Sequence, residues 1–458
     1  MQKLFQLVIL SLVFLSSYVH AHTATQNLPD LGSPGLVLYD RNMELTLGRA
    51  FLTALHTEYN MTNDPYVLAY IRRIGENIIA HVPDGRNYRF FVIDRPEINA
   101  FAGPDGIIGI NTGLILAAAS EDELASVIAH EIAHITQEHL SRRFEQFEQG
   151  NITTLASLLA AILIGTQNPS AGIATFIGGN SLAIQNQLRF SRIHEHEADS
   201  IGIQLLSKAG YSPSAMSRFF DQLHRQHNHT NRPPEILLTH PVTERRTALA
   251  MARAEQLPVQ PEQRLNLKLI QARLNPGRIE TKGLSAAKQN SLICYQAYLK
   301  ALNTPDSIDQ LSCLDTAIAE HPNNRLLKIA AADIKDRGQE TPEHLKALAI
   351  IYPQDNALAN TIAQHLIDNQ KLDDAIVYLE GQRIQSNQSI ELLATISELY
   401  MQNDKTAHAL YFQAVREIEI GNIARAKHLV KQAKNHTKNE TELTKKIKDL
   451  EQKIAKIS

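Results

Sequence analysis

The sequence predicts a mainly helical α+β half with a small sheet, followed by an all-α half. Residues 36–255 mix helical segments with short β-rich runs, whereas residues 282–458 show helical periodicity only. Between them, residues 256–281 hold two proline-bearing stretches around a short apolar run, which is typical of a linker or an interdomain strap. A chain of 458 residues, 43% of them hydrophobic, is long enough to build two cores.

The amino terminus predicts export from the cytoplasm. After Lys3, an apolar run at residues 4–15 leads to small residues ending at Ala21, so we expect residues 1–21 to be a cleaved signal peptide. The run is shorter than the roughly 20 apolar residues that span a bilayer. The chain carries a formal net charge of -3 without a basic block, and we therefore expect no nucleic-acid partner.

Two β-rich runs predict the small sheet. Residues 88–93 (YRFFVI) have the aromatic and β-branched content of a strand. Residues 99–111 predict a hairpin, because the stretch GPDG at 103–106 has the composition of a tight turn between apolar segments.

A helix is predicted to begin at about residue 121. Ser120 and Glu123 form a capping box in which each side chain satisfies a free backbone N–H group at the helix start. The periodicity of the following residues predicts a buried side made of Leu124, Val127, Ile128, Ile132 and Ile135.

The middle of that helix carries a motif with metal chemistry. His130 and His134 are four residues apart, so their imidazoles project from one face on successive turns and can bind one cation. Zn²⁺ fits such a pair best. Glu131, next in sequence, is placed to accept a proton from the attacking water rather than to bind the metal.

A third ligand is needed, because a catalytic zinc site has three protein ligands and one open position. Glu195 and Asp199 lie four apart in a helix that the sequence predicts to open near Arg192 and to end near Gly210. One of the two carboxylates can bind the metal, while the other accepts a hydrogen bond from the outer nitrogen of a ligand histidine.

These segments together resemble the M48 zinc metallopeptidases, and within that family the periplasmic proteases of outer-membrane assembly that carry C-terminal tetratricopeptide repeats. The resemblance spans most of residues 40–250. The matching stretches are NAFAGPDGIIGINTGL at 99–114, SEDELASVIAHEIAHITQEHL at 120–140, SRIHEHEAD at 191–199 and THPVTERR at 239–246.

The resemblance implies a gluzincin metallopeptidase domain at residues 22–255. It implies that Glu195 is the third zinc ligand and that Asp199 orients a ligand histidine from outside the metal's own ligand set. His240 and Arg246 match the histidine of the family's HP motif and the arginine that follows it, and Arg246 is expected, like Asp199, to lie outside the metal's own ligand set.

Other residues near the motifs compete for these roles. Three flank Glu195 but do not share its helix face, so we do not expect them to bind the metal: His194, His196 and Glu197. Four further histidines are predicted to be solvated surface residues: His139, His224, His227 and His229.

The apolar segment at residues 151–188 separates the two motifs. It allows two interpretations. In the first, the segment is a mobile lid, or a surface that contacts unfolded substrate or a membrane. In the second, it is a helical hairpin packed on the core.

The helical half, residues 282–458, resembles degenerate tetratricopeptide repeats. Ala375 and Ala409 are 34 residues apart, and residues 421–426 repeat the turn-and-alanine pattern. Stacked helix pairs form a concave groove, which predicts a protein-docking role, although a purely structural cap is the alternative. The lysine-rich tail from Lys445 is predicted to be a solvated final helix.

Cys294 and Cys313 are the two cysteines of the chain, and we expect them to form a disulfide. Residues 303–307 predict a turn between two helices, and Cys294 and Cys313 lie roughly 12 and 9 Å from that turn along their helices, so their sulfurs are nearly level. Two buried free thiols are the alternative.

The residues together predict an exported endopeptidase with one Zn²⁺ per chain. His240 is predicted to donate to the oxyanion of the intermediate, to bind the metal's open position in a resting state, or only to pack near the next helix. The resemblance further implies that the enzyme acts in the periplasm on unfolded or misassembled outer-membrane proteins, with the β-barrel assembly machinery as partner.

A rival hypothesis is a chaperone or adaptor in which the repeats carry the function. The complete set of metal and base residues argues against it.

Overall fold

The computed structural model describes most of the chain outside its amino terminus. The described residues are 40–145, 181–229, 234–261, 265–277, 281, 283–302, 308–385, 390–437 and 440–457. The predicted signal peptide, residues 1–21, lies outside these ranges, and so does the apolar segment 151–188 up to residue 180.

The first half is mainly helical with one small sheet, as predicted. Its strands are β1 (Arg89–Ile93), β2 (Ala100–Ala102) and β3 (Ile107–Asn111). Its helices are α1 (Arg41–Glu58), α2 (Pro65–Ile79), α3 (Thr112–Ala117), α4 (Glu121–Thr136), α5 (His139–Glu145), α6 (Ser181–Lys208), α7 (Ala215–His229), α8 (Glu235–Thr239) and α9 (Glu244–Ala254).

The sheet has the order β1-β3-β2, which leaves β2 at an edge. β1 pairs with β3 in parallel, with Arg89 opposite Ile107, and β2 pairs with β3 in the antiparallel sense, with Ala100 opposite Ile110. The predicted hairpin is confirmed. Its turn uses two residues of positive φ, Asp105 at 58° and Gly106 at 70°. A Cβ atom at Gly106 would lie 2.3 Å from the carbonyl oxygen of Asn87, so the turn requires glycine there.

Helix α4 begins where the capping box predicts. The Ser120 hydroxyl accepts a bond from the Glu123 N–H group at 3.2 Å, and the Glu123 carboxylate accepts one from the Ala119 N–H group at 2.8 Å. The five predicted core positions are buried. The helix is also buried on its remaining faces, because neighbouring elements cover it from several sides.

Helix α6 crosses α4 closely enough to bring the two motifs together. Gly202 makes this approach possible, because a Cβ atom there would lie only 3.3 Å from the backbone nitrogen of His130. The prediction that this helix opens near Arg192 is wrong, since it begins at Ser181. Residues 181–191 contain neither proline nor glycine, so nothing in the local sequence ends the helix there.

The second half is entirely helical over its described residues, and each helix contacts the next along the chain. Helix α10 (Leu265–Leu274) precedes it. The helices of the second half are α11 (Ala286–Ala301), α12 (Ile308–Glu320), α13 (Arg325–Asp336), α14 (Glu343–Ile351), α15 (Asn356–Asp368), α16 (Leu372–Gln385), α17 (Ile390–Gln402), α18 (Thr406–Glu419), α19 (Ile423–His436) and α20 (Thr441–Ile457). The lysine-rich tail forms α20, whose apolar side is buried through Leu443, Ile447, Leu450 and Ile454.

The segment 256–281 contains the packed helix α10 rather than only extended chain, which favours a strap between the two halves. The Gln271 amide donates to the carbonyl oxygens of Ile115 and Ala118 at 2.8 and 2.9 Å. Arg273 donates to Asp64 at 3.0 Å and lies 4.0 Å from the centre of the Tyr66 ring. Both contacts fasten α10 to the first half.

Cys294 and Cys313 form a disulfide, as expected, with their Cα atoms 5.5 Å apart on α11 and α12. Within the described residues, no helix is both long and apolar enough to cross a membrane.

Candidate metal centre

Three helical segments bring four potential metal ligands to one buried point. His130 and His134 come from α4, Glu195 comes from α6, and His240 follows α8 directly. One ligand atom of each lies within 4.8 Å of the others. His130, His134 and Glu195 are buried, and His240 is partly exposed.

The distances between these atoms fit a single tetrahedral cation. A tetrahedral zinc site with bond lengths of about 2.0–2.1 Å has ligand-to-ligand distances of about 3.3–3.4 Å. The Nε2 atoms of His130 and His134 are 3.0 Å apart, and they lie 3.4 and 3.5 Å from the oxygens of Glu195. The Nδ1 atom of His240 lies 3.4 Å from His130 Nε2 and 3.0 Å from Glu195 Oε1.

The contacts of the outer nitrogens of His130 and His134 also indicate a cation site. His130 Nδ1 lies 3.0 Å from Asp199 Oδ1, and His134 Nδ1 lies 2.8 Å from His139 Nδ1. When both outer nitrogens donate their protons to these partners, the inner Nε2 atoms present two facing lone pairs. Such an arrangement needs a cation between the two nitrogens, either a metal ion or a proton that one of them donates to the other.

The charge of the cluster also favours a cation. Burial lowers the pKa of His130, but hydrogen bonds with Asp199 and Glu195 outweigh burial and raise it to about 10. Burial of Glu195 opposes its ionisation, yet His240 and His130 hold its pKa well below the usual range. His130 is thus protonated beside the anionic carboxylates of Glu195 and Asp199. Binding of a divalent cation would release the proton of His130.

Arg246 on α9 organises the acidic side of the site. Its guanidinium donates twice to Asp199, at 2.8 Å each, and once to the Pro241 carbonyl at 2.8 Å. The same group lies 3.0 Å from Glu195 Oε2. Asp199 and Arg246, the two residues predicted to lie outside the metal's ligand set, are therefore in direct contact with each other and with predicted ligands.

Glu131 faces the same point from α4. It is 1% exposed, and its Oε1 atom lies 3.6 Å from His240 Nε2. Among the described residues, no hydrogen-bond donor is bound to that oxygen. A buried carboxylate oxygen without a donor is suited to accept a bond from a water molecule or a substrate group.

His240 enters the site from a short extended stretch. Its backbone angles are φ -128° and ψ 80°, in keeping with the restriction that Pro241 imposes. Its N–H group donates to the Ile236 carbonyl at 2.8 Å, and the Ile236 N–H group in turn donates to Ile98 at 3.1 Å. The turn that carries His240 is thus attached to the chain entering β2.

An apolar depression adjoins His130, His240 and Arg246. Its walls come from helices α4, α7, α8 and α9 and from the turn between α8 and α9. The apolar lining residues are Val127, Met216, Phe219, Phe220, Leu223, Ile236 and Val242.

The prediction that His139 is a solvated surface residue is wrong. His139 is 2% exposed and contacts His134. In a continuous helix the five-residue spacing from His134 would turn His139 away from the ligand face, but α4 ends at Thr136. Instead Glu138 adopts a positive φ of 53°, which reverses the chain and returns His139 to the metal site. A helix end without glycine carries no clear sequence signal for such a reversal.

The other competing residues do not join the ligand cluster. His194 is buried and stacks on His139 at 4.1 Å, while Glu197 binds Arg142 at 2.9 Å. His196 is partly exposed. His224 is half-buried on α7 rather than solvated, and the side chains of His227 and His229 lie outside the described residues.

Comparison with known proteins agrees with this geometry. Residues 65–254 match Peptidase family M48. The chain is 32% identical to the beta-barrel assembly-enhancing protease of Escherichia coli over 329 residues, 69% of this chain and 67% of that protein. It is 31% identical to the protein of the same name from Yersinia pestis, over 66% of this chain and 61% of that one.

A Vibrio cholerae protein is 39% identical over 232 residues. That alignment spans about half of each chain, 50% of this one and 48% of the other. The matched region thus covers between about half and two thirds of these relatives.

Proposed function

This chain belongs to peptidase family M48, and from that membership we propose that it is a zinc-dependent endopeptidase. The carrying observation is the set of four ligand atoms at tetrahedral spacing beside the buried carboxylate of Glu131. His130, His134 and Glu195 would hold one Zn²⁺. When bound, the cation would polarise the scissile carbonyl and lower the pKa of water at the site.

Glu131 is proposed to be the general base. Its Oε1 atom is buried at the site and has no donor among the described residues, so it can accept the proton of the attacking water. The same carboxyl group can then return that proton to the leaving amine. Asp199 and Arg246 are proposed to keep His130 in the orientation that presents its Nε2 atom inward.

His240 is proposed to have two successive roles. Its Nδ1 atom occupies the fourth corner of the cluster, 3.0 Å from Glu195, which supports a resting state in which His240 completes the ligand set. Substrate would displace it. The imidazole would then lie close enough to donate to the oxyanion of the tetrahedral intermediate.

Strand β2 is proposed to bind an extended substrate. Asn99 and Gly103 form hydrogen bonds with β3, at 3.0 Å to Asn111 and 2.7 Å to Ile107. Because antiparallel bonding alternates, the backbone groups of Ala100 and Ala102 point away from β3, to the side of β2 where no further strand pairs among the described residues. An added substrate strand could pair there, with side chains reaching the apolar depression.

The second half is proposed to be a tetratricopeptide-like domain that docks other proteins. Ala375 on α16 and Ala409 on α18, 34 residues apart, are both fully buried where their helices pack, which supports the repeat assignment. The relatives in Escherichia coli and Yersinia pestis are named beta-barrel assembly-enhancing proteases. We therefore propose that the enzyme acts in the periplasm on unfolded or misassembled outer-membrane proteins, near the β-barrel assembly machinery.

The test combines metal analysis with degradation of an unfolded model protein by the purified chain. We expect about one zinc per chain and loss of cleavage in a chelator. Glu131→Gln is expected to keep its zinc while losing at least about 10²-fold in turnover, because the base and not a ligand is removed. Glu195→Gln is expected to lose zinc readily.

Two outcomes would contradict this proposal. Cleavage by Glu131→Gln at the parental rate would exclude Glu131 as the base. If the parent chain held no zinc and yet degraded the model protein, the metal mechanism would be wrong. Chaperone activity that persists in Glu131→Gln would assign that activity to the repeats instead.

A further inference from the structure

The buried residue His139 lies in a chain of polar groups that runs from the ligand cluster to the partly exposed Glu197 and Arg142. Its Nδ1 atom is 2.8 Å from His134 Nδ1, and its Nε2 atom is 3.2 Å from Glu197 Oε2. Arg142, one turn along α5, donates to the same carboxylate oxygen at 2.9 Å. The His139 ring stacks on His194 at 4.1 Å with an angle of 12° between the planes.

The two ends of this chain determine where its protons lie. His134 must keep its Nε2 atom free of a proton to face the cluster, so its proton is on Nδ1 and is donated to His139. His139 then carries its own proton on Nε2 and donates it to Glu197. At the far end Arg142 can only donate, and it donates to the same oxygen of Glu197.

We propose that His139 is a positioning residue that orients the predicted ligand His134 and fixes its tautomer. The inference rests on the metal site proposed above. It gives the two helix histidines different supports, since His130 contacts the carboxylate of Asp199 whereas His134 contacts a neutral imidazole backed by Glu197. Without an acceptor at this place, the His134 ring would be free to rotate and to exchange its tautomer.

Two variants of the full chain separate an acceptor role from a packing role. His139→Phe keeps a ring that can stack on His194 but removes the acceptor. His139→Asn keeps an acceptor oxygen near the Nδ1 position. The measurement is zinc affinity by competition with a chromophoric chelator, together with thermal unfolding of the metal-free protein.

We expect His139→Phe to bind zinc about 10- to 100-fold more weakly, which is the usual effect of losing such a partner. His139→Asn is expected to recover most of that loss. As a matched control, His344→Phe removes another histidine bonded to a carboxylate, Asp336 at 2.6 Å, far from the site. Its zinc affinity is expected to equal that of the parent.

A second readout does not depend on the metal. In the metal-free chain labelled with ¹⁵N-histidine, we expect His139 to be the Nε2–H tautomer, and Glu197→Ala to alter its signal. Parental zinc affinity in a folded His139→Phe variant would overturn the inference and leave the metal site intact. Equal losses in the Phe and Asn variants would assign His139 a packing role. A parent chain that binds no zinc would overturn both proposals.

Discussion

The contacts of Arg246 allow the effect of its replacement on stability and on zinc affinity to be predicted. Arg246 is 3% exposed and forms the fork that holds Asp199 with two bonds of 2.8 Å. Burial opposes ionisation of Asp199, and the bonds from Arg246 are the first cause that lowers its pKa below the usual range. Arg246→Ala would leave that carboxylate, itself 1% exposed, without its guanidinium.

Breaking a buried ion pair by removing one partner costs roughly 3–5 kcal/mol. We expect a loss of that order in the free energy of unfolding of the metal-free protein. Arg246→Lys keeps the charge but not the fork, so we expect a smaller loss of about 1–3 kcal/mol. In both variants Asp199 no longer holds His130 firmly, and zinc affinity is expected to fall by about 10- to 100-fold.

The assays are urea unfolding in chelator and zinc competition. Arg245→Ala is the matched control, because it removes the same charge from the preceding, exposed position of α9. We expect that control to change stability by no more than about 0.5 kcal/mol. If Arg246→Ala matched the control in both assays, the argument that Arg246 supports the site through Asp199 would be refuted.

Three further predictions follow from other contacts. His240→Ala is expected to lower peptide turnover by roughly 10²-fold if stabilisation of the oxyanion is its main role, and to raise turnover if its main role is to occupy the open position of the metal. Parental rates on both a short peptide and an unfolded protein would leave only a packing role. Denatured, unreduced protein is expected to show no reactive thiol, and reduction of the Cys294–Cys313 bond is expected to cost about 3 kcal/mol; two thiols would exclude the bond. Burial raises the pKa of Glu235 to about 7, so its folded pKa exceeds the unfolded value and the native protein loses stability as pH rises from about 4.5 through 7. Glu235→Gln is therefore expected to be more stable than the parent at pH 8 but not at pH 4, and an equal pH dependence of unfolding in the two proteins would contradict this.

Local features of the fold were open to prediction because short-range rules govern them. Ser120 begins α4 through a bond to a residue three positions away, and the turn at Asp105 and Gly106 depends on backbone angles that glycine tolerates. The spacing of His130 and His134 follows from the helical repeat alone. Each of these features needs no information from elsewhere in the chain.

Features that join distant segments were harder to predict. The α10 strap is buried because Gln271 reaches the carbonyl groups of Ile115 and Ala118, more than 150 positions away. The parallel pairing of β1 with β3 is likewise not specified by the composition of either strand. The burial of His139 depends on one positive φ value, at Glu138, which changes the direction of the chain after α4.

The sequence by itself determined the structural classes of the two halves, the histidine pair and the glutamate beside it, because hydrophobic periodicity and residue chemistry are local. Only the tertiary structure decided which carboxylate faces the pair, how His240 reaches the fourth corner, and that His139 stands behind His134. Those relations depend on how α6, α8 and α5 pack around α4, and packing is set by the joint burial of surfaces that lie far apart in sequence.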